Sequence, residues 1–343
     1  MHTKAVDSPE VINQGVILLA RTLVETTQKI MIDHPNEVQR LAQQVYEPHA
    51  KCMDVAGVLA DSLARQGDYA AASEFFQEMV SAEDGFELTA VNTRCPACGD
   101  SEHEVCWVGM VEGQIRTWVR CEQCRTARDL HVRCQDRVEA ARRQRLSNIQ
   151  MNETMLQQHL VAGDRLIEKI REEGYGSHWL NRPGGPKALM LEIGSGWGGF
   201  LSAAAWRGFE AQGVESTHDS AQWARDHLGV LVCSDLESLP ESACDVVVIR
   251  DGFTGVRSPG QLLSRIVNRM VPGGLLAISV PVRDSPVHRA MGYDDPIWTS
   301  FEHITLFDQS GLSLLLLRSG LQPIKAWHNE MRPGEIIVLS RNS

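Results

Sequence analysis

The chain is poor in aromatic side chains, at 6% of its 343 residues, and it has no long apolar run. Its densest such stretch, Leu314 to Leu317, is a fraction of the roughly 20 residues a bilayer-crossing helix needs. No membrane-spanning segment is expected. Positive charge is also scarce: 33 Lys and Arg face 44 Asp and Glu, a formal net charge of −11, with the acidic excess concentrated in the first ninety residues. Acidic surfaces repel phosphate backbones, which counts against extended nucleic-acid binding. The exception is a stripe from Arg125 to Arg145, seven arginines against three acids, which reads either as a solvated helix face or as a polyanion site. Met1 to Glu10 lacks the basic stretch and following apolar run of an export signal, so a cytoplasmic protein is expected.

Without an export signal, nine cysteines argue against a disulfide framework, and their spacing points to a metal. Cys95-Pro-Ala-Cys98 and Cys121-Glu-Gln-Cys124 are two CxxC pairs separated by 22 residues. Two such tight turns, brought together by a hairpin, can set four thiolates around one tetrahedral Zn²⁺. Four thiolates leave no position for water, so the zinc would be structural, with a binding free energy on the order of 10 kcal/mol available to fold a small unit. Reduced thiols or a redox pair are the alternatives. Cys106, Cys134, His103 and His131 match no ligand spacing, and Cys52, Cys233 and Cys244 read as small buried hydrophobes. Between the pairs, Val105–Val111 and Gln114–Arg120 flank a Glu112-Gly113 turn and predict a β-hairpin. Residues 93–130 as a whole resemble a zinc ribbon.

The first ninety residues read as helices. Val16, Leu19, Leu23 and Ile30, then Val55, Leu59 and Leu63, recur at helical spacing, and Ala60–Val80 has a Gln66-Gly67-Asp68 turn between two helical patterns. That stretch resembles a single tetratricopeptide-type hairpin, with no second copy at a fixed period. Residues 1–90 therefore offer a docking surface for a protein partner or a homodimer, or serve as packing alone. A helical connector, 131–180, carries Ile149, Leu156, Leu160, Ile167 and Ile170 at helical period until Gly174 and Gly176 stop it. The breaker cluster Asn181-Arg-Pro-Gly-Gly-Pro186 opens the last domain, 181–343.

From Lys187 onward, apolar runs at Ala188–Ile193, Glu210–Glu215, Cys244–Ile249 and Leu275–Val280 alternate with helical patterns. Such runs are strands buried on both faces, which predicts a doubly wound α/β fold with a parallel sheet that binds ligands at the carboxyl ends of its strands. The stretch Leu189-Met-Leu-Glu192-Ile-Gly194-Ser-Gly196-Trp-Gly198-Gly199-Phe-Leu201 takes a strand through a glycine-rich turn into a helix, the arrangement that lets backbone amides approach a nucleotide-like ligand. Gly194, Gly196 and Gly199 also satisfy GxGxxG with Glu215 about twenty residues on, so a dinucleotide is one candidate.

The ExGxGxG spacing from Glu192 resembles motif I of the class I S-adenosylmethionine-dependent methyltransferases. Val271-Pro-Gly-Gly-Leu-Leu-Ala-Ile-Ser-Val-Pro281 resembles that family's turn into its fifth strand. Phe301-Glu-His-Ile-Thr-Leu-Phe307, a helix through Leu317, Ser319–Ile324 and Glu335–Ser340 resemble its approach to a closing antiparallel hairpin. The resemblance covers about half the chain. It implies a Rossmann-like, seven-stranded methyltransferase domain preceded by a helical segment and a small β zinc ribbon. It implies S-adenosylmethionine as cofactor, with Gly194, Ser195, Gly196, Trp197 and Gly198 along the methionine moiety and ribose. Glu215, with Ser216 beside it, would take the two ribose hydroxyls; Asp235, with Leu236, would take the adenine amino group, unless Asp235 only caps its turn. Arg250 and Asp251 would lie beside the sulfonium, and Glu192 near the cationic ligand or the loop amides. Where many relatives carry a Glu-His pair, this chain reads Asp251-Gly252-Phe253-Thr254-Gly255.

Methyl transfer from a sulfonium is an in-line displacement, so positioning and water exclusion supply most of the rate. A hydroxyl acceptor also needs a base, and His303, on the segment covering the acceptor side in this family, is the first candidate ahead of His288 and His218. Tyr293, Trp298 and Phe301 would wall the acceptor pocket or serve as ordinary lid packing. A zinc ribbon ahead of such a core resembles the sugar C-methyltransferases of deoxysugar pathways, which points to a small-molecule acceptor, a sugar or secondary metabolite. The alternatives are an RNA methyltransferase gripping nucleic acid with the ribbon and the Arg125–Arg145 stripe, and a non-catalytic scaffold that binds the cofactor.

Overall fold

The computed structural model describes residues 34–46, 53–81, 94–111, 114–130, 135–148, 151–174, 187–240, 243–250 and 252–343. The predicted Val16–Ile30 helix face, the Glu112-Gly113 turn, the 181–186 breaker cluster, Asp251, Cys52, Cys134 and His131 lie outside the described residues.

Helices Pro35–Tyr46, Met53–Arg65 and Tyr69–Ser81 come first. The last two meet through the predicted Gln66-Gly67-Asp68 turn, where Gly67 takes φ +86°, open to glycine at no steric cost. Their apolar faces, with Ala60, Leu63, Ala64 and Ala72, close over Val108. Val108 lies on β1 (His103–Val111), which pairs antiparallel with β2 (Gln114–Cys121) as predicted, and β2 pairs with the short β3 (Ala127–Asp129).

Two helices follow where the sequence suggests one run. Asn152 caps the second, its side chain accepting the Met155 amide at 2.9 Å, so that helix spans Glu153–Glu173 while the first covers Gln135–Ser147. The second helix packs directly on the main sheet. It also packs on the neighbouring helix Gly199–Trp206, where Gly163 allows close approach: a Cβ there would lie 3.0 Å from the Ala203 Cβ.

The main sheet contains β4 (Leu189–Ile193), β5 (Glu210–Val214), β6 (Leu231–Cys233), β7 (Cys244–Ile249) and β8 (Met270–Pro281). It is completed by β10 (Leu321–His328) and β11 (Glu335–Asn342), in the spatial order β10-β11-β8-β7-β4-β5-β6. Strands β4 to β8 run parallel and β11 is antiparallel to both of its neighbours, closing the edge with the predicted hairpin. The unbroken apolar runs are explained by cover on both faces. Met190, Val246 and Val248 meet Phe200, Ile167 and Ile170 on one side. Leu191, Val247 and Ile249 meet Leu263, Ile266 and Leu312 on the other. The chain moves outward from β4 to β6 and then crosses to β7, so the order reverses between β4 and β7, where such sheets open a ligand crevice.

The two sheets are tied together. A two-residue strand, β9 (Thr305–Leu306), leaves the main domain and pairs antiparallel with β3, so the smaller sheet reads β1-β2-β3-β9. Among the described residues no helix is long and apolar enough to cross a membrane.

Candidate functional site

The loop after β4 is built for close approach. Gly194, Gly196 and Gly198 all have positive φ (75°, 53° and 75°), and Gly198 starts the helix Gly199–Trp206. A Cβ on Gly196 would meet nothing within 4 Å, so open space lies above the loop, whereas one on Gly198 would strike Ala224 at 2.8 Å. The Ser195 Oγ and the Trp197 Nε1 are buried without a hydrogen-bond partner among the described residues. Unsatisfied donors and acceptors beside an open glycine cradle fit a polar, hydroxyl-bearing ligand such as S-adenosylmethionine.

Just past the end of β5, the Glu215 carboxylate is fully buried. Its Oε1 accepts the Thr217 amide at 2.8 Å, and its Oε2 accepts the Gly196 amide at 2.8 Å and the Arg142 guanidinium at 2.9 Å. Glu192, buried on β4, pairs with Arg250 at the end of β7 (2.8 Å), and the Arg250 guanidinium lies over the Phe200 ring. The structure therefore brings Glu192, Gly194–Gly198, Glu215 and Arg250 together at one crevice. Asp235 is exposed and accepts from the Ser238 hydroxyl (2.7 Å), the Ser234 hydroxyl (2.8 Å) and the Ser238 amide (2.8 Å), bonds that hold its carboxyl below the usual range. That is a turn-capping geometry. Leu236 beside it is buried, and Ser216 is exposed.

A second space adjoins the first. A cavity of 560 Å³ is bounded by Arg250, Gly252 and Phe253 on the crevice side and by residues of 287–303 opposite. His303 lines it, its Nδ1 2.7 Å from the Thr254 hydroxyl. His288 lines it too, with Nδ1 2.5 Å from the carboxylate of Asp295, itself only 2% exposed. A carboxylate that accepts from Nδ1–H leaves Nε2 as the basic atom. The sequence ranks His288 lower and does not single out Asp295. The one signal was Asp295 before Pro296, a helix-cap pattern that the structure confirms through the Ile297 amide.

Cys95, Cys98, Cys121 and Cys124 converge, with all four Sγ atoms within 4.8 Å of one another. The Cys95–Cys124 and Cys98–Cys121 pairs each sit at 3.4 Å. Hydrogen bonding to Cys124 pushes the Cys95 thiol well up, while the same contact pulls Cys124 down. The soft, tetrahedral-capable donor set fits Zn²⁺. Helix Gln309–Arg318 seats against it: a Cβ on Gly311 would run into the Thr126 hydroxyl.

The wall of the second cavity hangs from this smaller sheet. The Arg116 guanidinium on β2 donates to Asp129 (2.8 Å), to the Ser300 carbonyl (2.7 Å) and to the His303 carbonyl. The Trp118 indole N–H donates to the Trp298 carbonyl and that of Trp107 to the Tyr293 carbonyl, each at 3.0 Å. The helical hairpin joins in, with Asp61 accepting from the Tyr293 hydroxyl at 2.7 Å and Arg65 donating to Asp294 at 2.8 Å. Tyr293, Trp298 and Phe301 are thus packed into the brace, in one cluster with Trp107 and Trp118.

Residues 165–326 match the family model described as a methyltransferase domain. No curated protein matches the chain. Among solved structures, a possible histamine N-methyltransferase of Thermotoga maritima is similar at 17% identity, covering 53% of this chain and 99% of its own, with a TM-score of 0.38. A magnesium protoporphyrin IX methyltransferase of Synechocystis with bound S-adenosylmethionine is similar at 14% identity, covering 60% and 91%, with a TM-score of 0.40. A TehB-like methyltransferase of Corynebacterium glutamicum is similar at 14% identity, covering 53% and 88%, with a TM-score of 0.38.

Proposed function

From residues 165–326, which match a methyltransferase domain, we propose a class I S-adenosylmethionine-dependent enzyme that methylates a small molecule held in the 560 Å³ cavity. The observation that carries this reading is the junction of that cavity with the glycine-loop crevice at Arg250 and Gly252, which sets an acceptor space next to a cofactor space. The cofactor supplies a sulfonium-bound methyl group for in-line displacement. Glu215 binds the ribose hydroxyls, Gly194–Gly198 seat the methionine end, and Arg250 is fixed by Glu192 at the boundary between the two spaces. The cavity wall positions the acceptor, and for a hydroxyl acceptor His303, or His288 oriented by Asp295, receives the proton. The Cys95/Cys98/Cys121/Cys124 cluster would hold a structural zinc that fixes the sheet from which the acceptor wall hangs.

The arginine stripe supports a small acceptor over RNA. Arg128 is fully buried and Arg142 is committed to Glu215, so these two face the interior, while Arg145 is engaged by Glu302 at 2.7 Å. The test is methyl incorporation from labelled S-adenosylmethionine into fractionated cell extract. Label in the small-molecule fraction is expected, and label confined to RNA overturns the reading. Isothermal titration of Glu215→Ala should lose about tenfold or more in S-adenosylmethionine affinity, since two charge-assisted hydrogen bonds go. Wild-type-like affinity rejects the ribose role.

A further inference from the structure

The Glu215 carboxylate has more claimants than acceptor sites. Each carboxylate oxygen offers about two lone-pair positions. Oε2 already accepts the Gly196 amide and the Arg142 guanidinium, and Oε1 accepts the Thr217 amide. One position on Oε1 is left, yet a ribose diol bound across a carboxylate needs one position on each oxygen. The Gly196 and Thr217 amides belong to the loop and to the start of helix His218–Leu228 and cannot withdraw without rebuilding both. The guanidinium, on a long side chain 18% exposed, can.

Two further observations bear on Arg142. Its Nε is buried with no hydrogen-bond partner among the described residues, so the side chain is not satisfied in this pose as a permanent structural ion pair would be. Its guanidinium also reaches over Gly252, where any side chain would collide with it, so it bridges the crevice from the β5 end to the β7 end. The helix carrying it, Gln135–Ser147, is pinned by Val138, buried beneath Gly255. One turn further on, the helix presents Arg145 to Glu302, and both of these line the acceptor cavity.

We propose that Arg142 is a specificity-setting latch on the cofactor site. It neutralises the buried Glu215 while the crevice lacks a ribose and gives way to a ligand that offers both ribose hydroxyls. Because Arg142 and Arg145 share one helix, its release is felt at the acceptor wall, and occupancy of the crevice and of the cavity are coupled. This rests on the S-adenosylmethionine reading above, which supplies the diol. A ligand with a single hydroxyl needs only the remaining position on Oε1 and has no claim on the one Arg142 holds. Discrimination between ribose and deoxyribose is therefore the signature.

The experiment is isothermal titration of the full zinc-loaded chain with S-adenosylhomocysteine and with its 2′-deoxy analogue. Arg142→Gln should bind S-adenosylhomocysteine about tenfold tighter than wild type, because the competing charge-assisted bond is gone. It should leave the 2′-deoxy analogue near its wild-type affinity, and Arg142→Lys should stay close to wild type for both. Hydrogen exchange on the wild-type chain gives a readout independent of any variant's folding. S-adenosylhomocysteine should slow exchange at 194–198 and speed it at 135–147. Unchanged or weaker binding by Arg142→Gln, or slowed exchange at 135–147, overturns the latch while the cofactor reading stands. A wild-type chain that binds no S-adenosylhomocysteine overturns both.

Discussion

A guanidinium as deeply buried as that of Arg116, 1% exposed, is tolerable only because its N–H groups are met by Asp129 and by two carbonyls of the cavity wall. Removing one partner of such a pair strands the other. Arg116→Ala should cost about 3–5 kcal/mol of stability by leaving Asp129 without the guanidinium, and thermal or urea unfolding monitored by circular dichroism checks it. A loss below about 1 kcal/mol would mean that water reaches the site. At this scale the sequence discloses residues whose chemistry depends on near neighbours in the chain. Glu192, Gly194 to Gly198 and Glu215 lie within one strand–turn–helix–strand unit, so their spacing carries their placement. Arg142 meets Glu215 only through the fold, 73 positions along the chain, and nothing in the arginine stripe marks which members turn inward. Asp235 satisfies the motif position and the local turn equally well, and the structure records the turn.

The elements follow from pattern wherever the pattern is regular. The hairpin of β1 and β2 and the parallel strands β4, β5, β7 and β8 sit where alternation or apolar runs predict them, and the closing pair β10 and β11 where the family resemblance implies it. The break between the helices at 135–147 and 153–173 is less legible, because helical periodicity persists on both sides and a single cap residue, Asn152, decides it. The second of those helices owes its seat to one atom's worth of space. At Gly163 the Ala203 Cβ is 3.0 Å from where a side chain would begin, and the Phe200 ring is 3.3 Å away. Gly163→Val should therefore push the helix away from helix Gly199–Trp206 and cost about 1–3 kcal/mol by overpacking. Gly163→Ala, which adds only the Cβ, should cost less. The measurement is the urea midpoint of each variant, and an equal or greater loss for Ala would contradict a steric cause.

In the whole molecule the smaller sheet takes its last strand, β9, from the segment that follows β8 of the larger one, and that junction is what the sequence hides most completely. Strand β3 has three residues and β9 two, separated by more than 170 positions, too short for any periodicity to register. Yet this pairing, with the Arg116, Trp107 and Trp118 hydrogen bonds, makes the wall over the cavity depend on the four thiols. The glycine-loop crevice depends on β4, β5 and β7, which pair within the larger sheet and not with the strands that carry the thiols. The two spaces should accordingly respond differently to loss of metal. A chelator strong enough to strip zinc from the four thiols should speed hydrogen exchange across β1 to β3 and across residues 292–306. S-adenosylhomocysteine affinity should hold within about threefold, since less than about 1 kcal/mol of cofactor contact is disturbed. Exchange that rises equally at 189–198 would mean that the metal supports the entire fold. Unchanged exchange at 292–306 would mean that the apolar cluster of Trp107, Trp118 and Trp298 holds the wall without it.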